Sequence, residues 1–421
     1  MASNDSLEHK STLLYTFQSL FFIIGAFFVF LVFFFSDFIS NNFLNSSFYS
    51  RTQISYYVKI MGVGIFFQMY ASLYEGGLLG LQKQVFVNIV NISWGVFRSA
   101  LVIIPLYFKP SVELYFYWQI LSNALLFVIL RYSLWKHIRT KFVPSFSTLI
   151  LKEKYQFLLG AMFIALISAV NIQIDKLITS HLLDLNSFGQ YALASTMAQI
   201  PLVISTPIIL AVFPIFSNLV HENNQLGLVK YFHKYSFLIT SISFPVVFVI
   251  FLFSFETISI WTGNVQIAEN VNYILKIMVL GGFFVCLQLV PYYIAISRGH
   301  TKTNIYIGML VIVIEIPLLF YCINSFGLIG ASLPWLLMNF ISCVLMTLII
   351  IRKFFASEYF SWLIYDILVP ITVVSIIAYL IYLIPYYNHF QYTFIFKSVL
   401  IISISLTLNL WVYSYIKSEK Y

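Results

Sequence analysis

The sequence predicts an all-α polytopic membrane protein, and three observations carry that prediction. Of 421 residues, 61% are hydrophobic and only 9% are charged, against roughly 25% charged in an ordinary soluble protein. Twelve apolar runs each reach the roughly 20 residues that a helix needs to cross a bilayer. Lysine and arginine gather in alternate loops, as the positive-inside rule requires. So few polar side chains could not cover a soluble surface, and disorder needs the opposite composition. The net charge of +8 does not point to nucleic acid, because the bases are spread by loop rather than gathered on one face. A β-barrel would need alternating runs of about 10 residues, and these runs are continuous.

The first run, 14–36, is too long for a signal-peptide core and is followed by no small-residue cleavage site. The second, 56–79, carries Glu75 before Gly76 and Gly77, and Lys83 is its expected partner. The third, 85–108, holds Arg98 centrally, and the fourth is 112–134. The fifth, 155–177, ends in Asn171, Gln173, Asp175 and Lys176. Asn171 and Asp175 share a helix face, whereas Asp175 and Lys176 point about 100° apart and are expected to serve different surfaces. The sixth, 187–212, and its end contain Pro201, Pro207 and Pro214, each of which predicts a kink. The seventh is 235–257, and the eighth, 271–297, carries Lys276 one to two turns in. The ninth, 303–322, places Glu315 two residues before Pro317. The tenth is 328–351, the eleventh, 364–384, opens with Asp366 as an interfacial charge, and the twelfth is 393–416.

With the N-terminus inside, 16 of the 23 bases fall on inner segments, five fall on or near the outside, and Arg98 and Lys276 lie within spans. Both termini are therefore expected in the cytoplasm. Segment 135–154 mixes bases with Phe142, Phe146, Leu149 and Ile150, and reads as an amphipathic linker on anionic lipid. Cys286, Cys322 and Cys343 all lie in apolar runs and read as buried single thiols. All seven histidines fall in loops or at interfaces, and no metal spacing, nucleotide-binding glycine loop or catalytic triad is legible, so an enzyme is not expected.

Shifting the chain on itself by 216 residues lays spans 1–4 over spans 7–10. Asn88 falls on Asn304, Asn123 on Asn339 and Lys136 on Arg352, with Trp118 one position from Trp335. Duplicated helical lobes are a common transporter plan. The expected organisation is a four-helix first lobe at 1–134, the linker at 135–154, a six-helix second lobe at 155–353 and a C-terminal helix pair at 354–421. Spans 5 and 6 have no counterpart in the first lobe, so by this arithmetic a full first lobe would need about 80 residues before Lys10.

Four segments add a family resemblance: Gly80–Asn88 (GLQKQVFVN), Asn171–Ile178 (NIQIDKLI), Phe188–Ala194 (FGQYALA) and Phe213–Ser217 (FPIFS). Together they resemble the O-antigen flippases (Wzx) of the multidrug/oligosaccharidyl-lipid/polysaccharide exporter superfamily, from what would be the family's third helix onward. The resemblance implies a two-lobed flippase-like bundle whose first lobe lacks the family's first helix pair. It implies transport, by alternating access, of an undecaprenyl-diphosphate-linked oligosaccharide across the bacterial cytoplasmic membrane. Its implied partners are that lipid-linked glycan, membrane lipid, a coupling H+ or Na+, and contact with an O-antigen polymerase and a chain-length regulator, with no cofactor.

Charged groups within the membrane normally face a partner or a wet cavity. Arg98, Asn171, Gln173, Asp175, Lys176 and Lys276 are accordingly candidates for the translocation pathway. Arg98 and Lys276 could hold phosphate. Glu315 is the candidate coupling group, because burial disfavours the charged form of a carboxyl. The structural alternatives are pairing for Arg98, snorkelling for Lys176 and Lys276, and a carboxylate at a proline kink for Glu315. The competing functions are a multidrug or cation antiporter of the same superfamily, an inactive truncated flippase, a lipid II flippase and a membrane-bound O-antigen polymerase.

Overall fold

A computed structural model describes residues 7–42, 49–138, 143–384 and 390–420. Side chains are described throughout these except at 153–154, 156–161, 163–168, 171, 301, 390–392 and 416–420. The described chain is helical, with no strand. Its elements are α1 (Leu7–Asn42), α2 (Arg51–Gly80), α3 (Gln84–Ser99), α4 (Ile103–Phe108), α5 (Val112–His137), α6 (Thr148–Leu182), α7 (Leu185–Ala198), α8 (Ile200–His221), α9 (Gln225–Leu252), α10 (Ser254–Thr262), α11 (Val265–Ser297), α12 (Thr301–Phe354), α13 (Tyr359–Ser361), α14 (Val369–Tyr382) and α15 (Phe390–Lys420). A π-helical turn, Trp362–Leu368, joins α13 to α14.

All twelve apolar runs fall on helix. Among the described residues, nine helical stretches are long and apolar enough to cross a membrane. One of these spans two of the expected runs, because α12 is broken at Gly327, whose φ of 58° and ψ of −134° suit glycine alone. The break is tight: a Cβ on Gly330 would lie 1.9 Å from the carbonyl oxygen of Cys322. The chain is a multi-pass membrane protein, and its many exposed Phe, Ile and Leu side chains, such as Phe22, Phe30 and Phe34 on α1, have acyl chains as their solvent.

Polar caps start the helices after the loops. Ser50 and Gln53 form a capping box on α2, Ser111 caps α5, and Asn224 and Asn264 cap α9 and α11. Asp184 caps α7 by accepting from the backbone N–H of Asn186 and Ser187 at 3.0 and 3.3 Å. Such caps satisfy amides that helix geometry leaves without partners.

The chain divides into two compact units, Met1–Ala165 and Leu166–Tyr421. In the first, α2 packs between α1 and α5, around a core of Tyr70, Tyr74, Leu78, Leu130 and Leu134. Asn123 of α5 donates to the backbone oxygen of Gly64 at 3.0 Å. Helix α5 continues to His137, and α6 begins at Thr148, so helix enters the 135–154 segment from both ends. Glu75 accepts from Asn91 at 2.8 Å, which replaces the expected Lys83 pairing.

In the second unit α11 is the central helix, packing on α7, α8, α9, α10 and α12. Glycine permits one of these approaches: a Cβ on Gly282 would lie 2.4 Å from the carbonyl oxygen of Ala198. Three apolar clusters form the core, one around Tyr191, Ile274 and Met278, one around Phe216, Phe232 and Ile294, and a third around Phe253, Ala378 and Ile401. The C-terminal helices α14 and α15 pack on each other and on α9. The three prolines of the sixth run act differently from one another. Pro201 opens α8 just after the break at Gln199, whereas Pro207 and Pro214 lie inside α8. The hydroxyls of Ser205 and Thr206 donate to the carbonyls of Pro201 and Leu202, each at 2.8 Å.

Candidate functional site

The second unit builds a buried acidic site from α6, α7 and α12. Asp175 lies in α6 and is 2% exposed. The chain reverses at 183–184, so the α6–α7 hairpin brings Tyr191 back against it. The Tyr191 hydroxyl donates to Asp175 Oδ2 at 2.7 Å, and Tyr191 is wholly buried. The second oxygen, Oδ1, accepts no hydrogen bond among the described residues. Glu315 of α12 is buried and lies within electrostatic reach of both Asp175 and Tyr191. Its carboxyl has no hydrogen-bond partner among the described residues.

Two carboxyl groups and a phenol in a shared apolar setting form a site that favours a proton or a small cation. Carboxylate charges repel strongly where the dielectric is low, and added positive charge relieves that repulsion.

The other candidates fall in different settings. Lys176 Nζ lies 3.9 Å from Asp175 Oδ1 and also donates to the Ile172 carbonyl at 3.4 Å. Although the two neighbours point to different surfaces, the flexible lysine stem reaches back to make a long ion pair. They still occupy different environments, with Lys176 half-buried and Asp175 buried. Gln173 is exposed on α6, two residues and therefore about 200° round from the buried acid. The side chain of Asn171 lies outside the described residues. Lys276 sits half-buried with Nζ 5.4 Å from the Tyr273 ring centroid. Helix α11 begins at Val265, which puts Lys276 about three turns in rather than one or two.

Arg98 belongs to the first unit and ends α3, where a cation complements the helix dipole. The helix breaks directly after it, at 100–102. Its Nε donates to Gln119 Oε1, and the guanidinium stands 5.0 Å from the Trp94 ring centroid. Arg98 forms no ion pair among the described residues, so its charge is held by an amide and a ring.

Two groups were not legible as site residues. Tyr191 sits in the quoted Phe188–Ala194 segment, but an aromatic in an apolar run carries no signal of a polar role. His233, near the start of α9, is buried within the protein. Its Nδ1 is 2.6 Å from Asp366 Oδ2 and its Nε2 is 3.1 Å from Glu358 Oε2. Asp366, within the π-helical turn, is likewise buried.

Residues 2–266 match the polysaccharide biosynthesis protein family. The chain belongs to that family. Within reach of it by sequence is a Shigella flexneri protein named "Putative O-antigen transporter", 24% identical over 335 residues, which are 79% of this chain and 78% of that protein. The fold is similar to that of the lipid II flippase MurJ in an inward closed conformation, with a TM-score of 0.74 at 17% identity over 98% of this chain and 85% of MurJ. It is also similar to an inward-facing MATE-family multidrug resistance transporter of the MOP superfamily. That likeness has a TM-score of 0.70 at 14% identity, over 83% of this chain and 82% of the transporter. At these identities the structural likenesses establish the fold.

Proposed function

We propose that this polysaccharide-biosynthesis family member is a flippase. It moves an undecaprenyl-diphosphate-linked oligosaccharide repeat unit across the bacterial cytoplasmic membrane by alternating access, with both termini in the cytoplasm. The observation that carries this reading is the family match over residues 2–266 in a chain with a flippase-like fold. The naming of the Shigella flexneri relative as an O-antigen transporter supports a transporter over an enzyme. Asp175, Tyr191 and Glu315 serve as the coupling site, taking up H+ or Na+. Binding there neutralises charge that the apolar core disfavours, so occupied and empty states prefer different packings of α6, α7 and α12. Arg98, Asn171, Gln173, Lys176 and Lys276 are proposed to meet the glycan or its diphosphate, and the polymerase and chain-length regulator are proposed contacts.

Complementation tests the reading. The chain, expressed in its source strain after deletion of its gene, is expected to restore the lipopolysaccharide ladder on a gel. Absence of long-chain bands, with the protein shown to be in the membrane, rejects this chain as a self-sufficient flippase.

A further inference from the structure

The first unit holds a groove of about 480 Å³ over α2, walled by α1 and α5. That volume lies in the range of about 300–1,000 Å³ usual for small-molecule sites. On α1 the groove is lined by Tyr15, Gln18, Ser19 and Phe22, whose spacing puts them on one helix face. Two hydrogen bonds fix the three helices at the level of Gln18. Its backbone oxygen accepts from the Tyr70 hydroxyl of α2 at 2.6 Å, and its Oε1 accepts from Trp135 Nε1 of α5 at 3.2 Å. The groove is graded along its length. Tyr15, Gln18, Ser19 and Arg131 line one end, and Phe22, Phe66 and Phe67 line the other. Ring pairs close the walls there, Phe22 on Phe66 at 6.2 Å and Phe67 on Phe127 at 6.0 Å between centroids.

Arg131 does not snorkel out of the span. Helix α5 runs on to His137, so Arg131 lies about 9 Å inside that end. A snorkelling arginine extends toward the interface. This guanidinium instead stands 5.8 Å from the ring centroid of Phe127, one turn farther into the span. It makes no hydrogen bond or ion pair among the described residues. The ring offsets part of the charge, but the planar fork of N–H donors is left open to the groove. Gln18 adds to it: with its side-chain oxygen engaged by Trp135, its N–H2 is what it has to offer. Water in the groove would solvate these donors but not the aromatic end, which hydrocarbon fills more favourably.

We propose that this groove binds an anionic glycerophospholipid of the phosphatidylglycerol type. Its phosphate sits on Arg131 and Gln18, and an acyl chain lies along Phe22, Phe66 and Phe67. Charge sets the class of lipid. A guanidinium forks onto phosphate oxygens. No aspartate or glutamate is among the described residues that line the groove, so the ammonium of a zwitterionic headgroup finds no counter-charge. One guanidinium balances one phosphodiester rather than a diphosphate. The lipid bridges α1 and α5 across α2 as a resident of the fold, and the inference does not depend on what the protein carries.

Native mass spectrometry of the purified full chain tests it, after detergent exchange and addition of phosphatidylglycerol, phosphatidylethanolamine or phosphatidylcholine. One phosphatidylglycerol per chain is expected to be retained at least about tenfold more tightly than either zwitterionic lipid. Arg131→Gln is expected to remove that preference. Ser19→Phe, which fills the groove and keeps every charge, is expected to cut retention by at least about tenfold. Lys136→Gln, which removes an exposed base near the end of α5, is expected to leave retention unchanged. Equal retention of phosphatidylethanolamine, or a loss in Lys136→Gln as large as in Arg131→Gln, reduces the effect to ordinary surrounding lipid and overturns the proposal. Displacement by excess inorganic phosphate overturns it in favour of a soluble anion, and tighter retention of a polyprenyl diphosphate overturns it in favour of cargo. The lipid comparisons use the unsubstituted chain, so they decide the matter even where a variant fails to fold.

Discussion

Asp175 is held by one hydrogen bond from a buried phenol, and its other oxygen makes only the long ion pair with Lys176. Removing charge here without changing shape is the most direct probe. Asp175→Asn and Glu315→Gln are each expected to cut transport tenfold or more, about 1.4 kcal/mol on the coupled step, while leaving the amount of folded protein unchanged. Vesicle transport of lipid-linked oligosaccharide under an imposed ion gradient reads this out, and full gradient-driven activity in both variants would reject the coupling role. Tyr191→Phe removes the phenol's hydrogen bond to the buried Asp175 carboxylate and is expected to cost about 1–3 kcal/mol of stability. Asp184 offers a control outside the membrane. Its hydrogen bonds at the α7 N-terminus, that of Ser187 foremost, hold its carboxyl below the usual value of 3.8. The stability it adds is therefore present above that usual value and is lost as pH falls through the lower folded one. Asp184→Ala is expected to lower stability by about 1 kcal/mol at neutral pH, with the difference from the parent protein shrinking in thermal melts below that range.

At the scale of elements, every apolar run falls on helix, but the hydropathy pattern could not say which helices are continuous. A proline marks where backbone bonds are lost, yet Pro201 starts a helix while Pro207 and Pro214 sit within one. The outcome depends on whether neighbours or hydroxyls satisfy the freed groups, which a one-dimensional pattern does not hold. Gly327 is the sharper case, because nothing in its apolar surroundings signals the positive φ that splits α12. Gly327→Ala is expected to destabilise by about 1–3 kcal/mol, visible as a lower Tm in detergent. An unchanged Tm would mean that the two halves of α12 join in some other backbone conformation. The expected repeat is matched better in elements than in residues. In both units the second span of the repeat packs on the first and the fourth. Asn123 crosses between helices to Gly64, whereas its match Asn339 bonds within its own helix, to Trp335 at 2.8 Å.

For the whole molecule, the distribution of bases makes a prediction about topology. Reporter fusions after Lys420 and after Lys136 are expected to report the cytoplasm, and one after Lys109 the outside. A reversed pattern would turn the proposed direction of transport around. Much of the second unit's polar chemistry is not visible at this scale in sequence. Glu315 stands out because a carboxyl in an apolar run is costly wherever it points. His233 and Asp366 did not stand out, because each lies near a span edge where a charge is cheap.

Composition, span lengths and loop charges by themselves determined that this chain is a polytopic helical membrane protein, because the bilayer imposes one length and one polarity on every crossing. The quoted motifs pointed to its family for a different reason, as matched residues rather than physics. Tertiary structure alone decided which polar side chains meet. It joined Asp175 to Tyr191 across a hairpin and set His233 between two carboxyls from the C-terminal segment. Such meetings depend on the rotation and register of one helix against another. Those are set by small residues, kinks and side-chain shape spread over many contacts, so no local stretch of the chain records them.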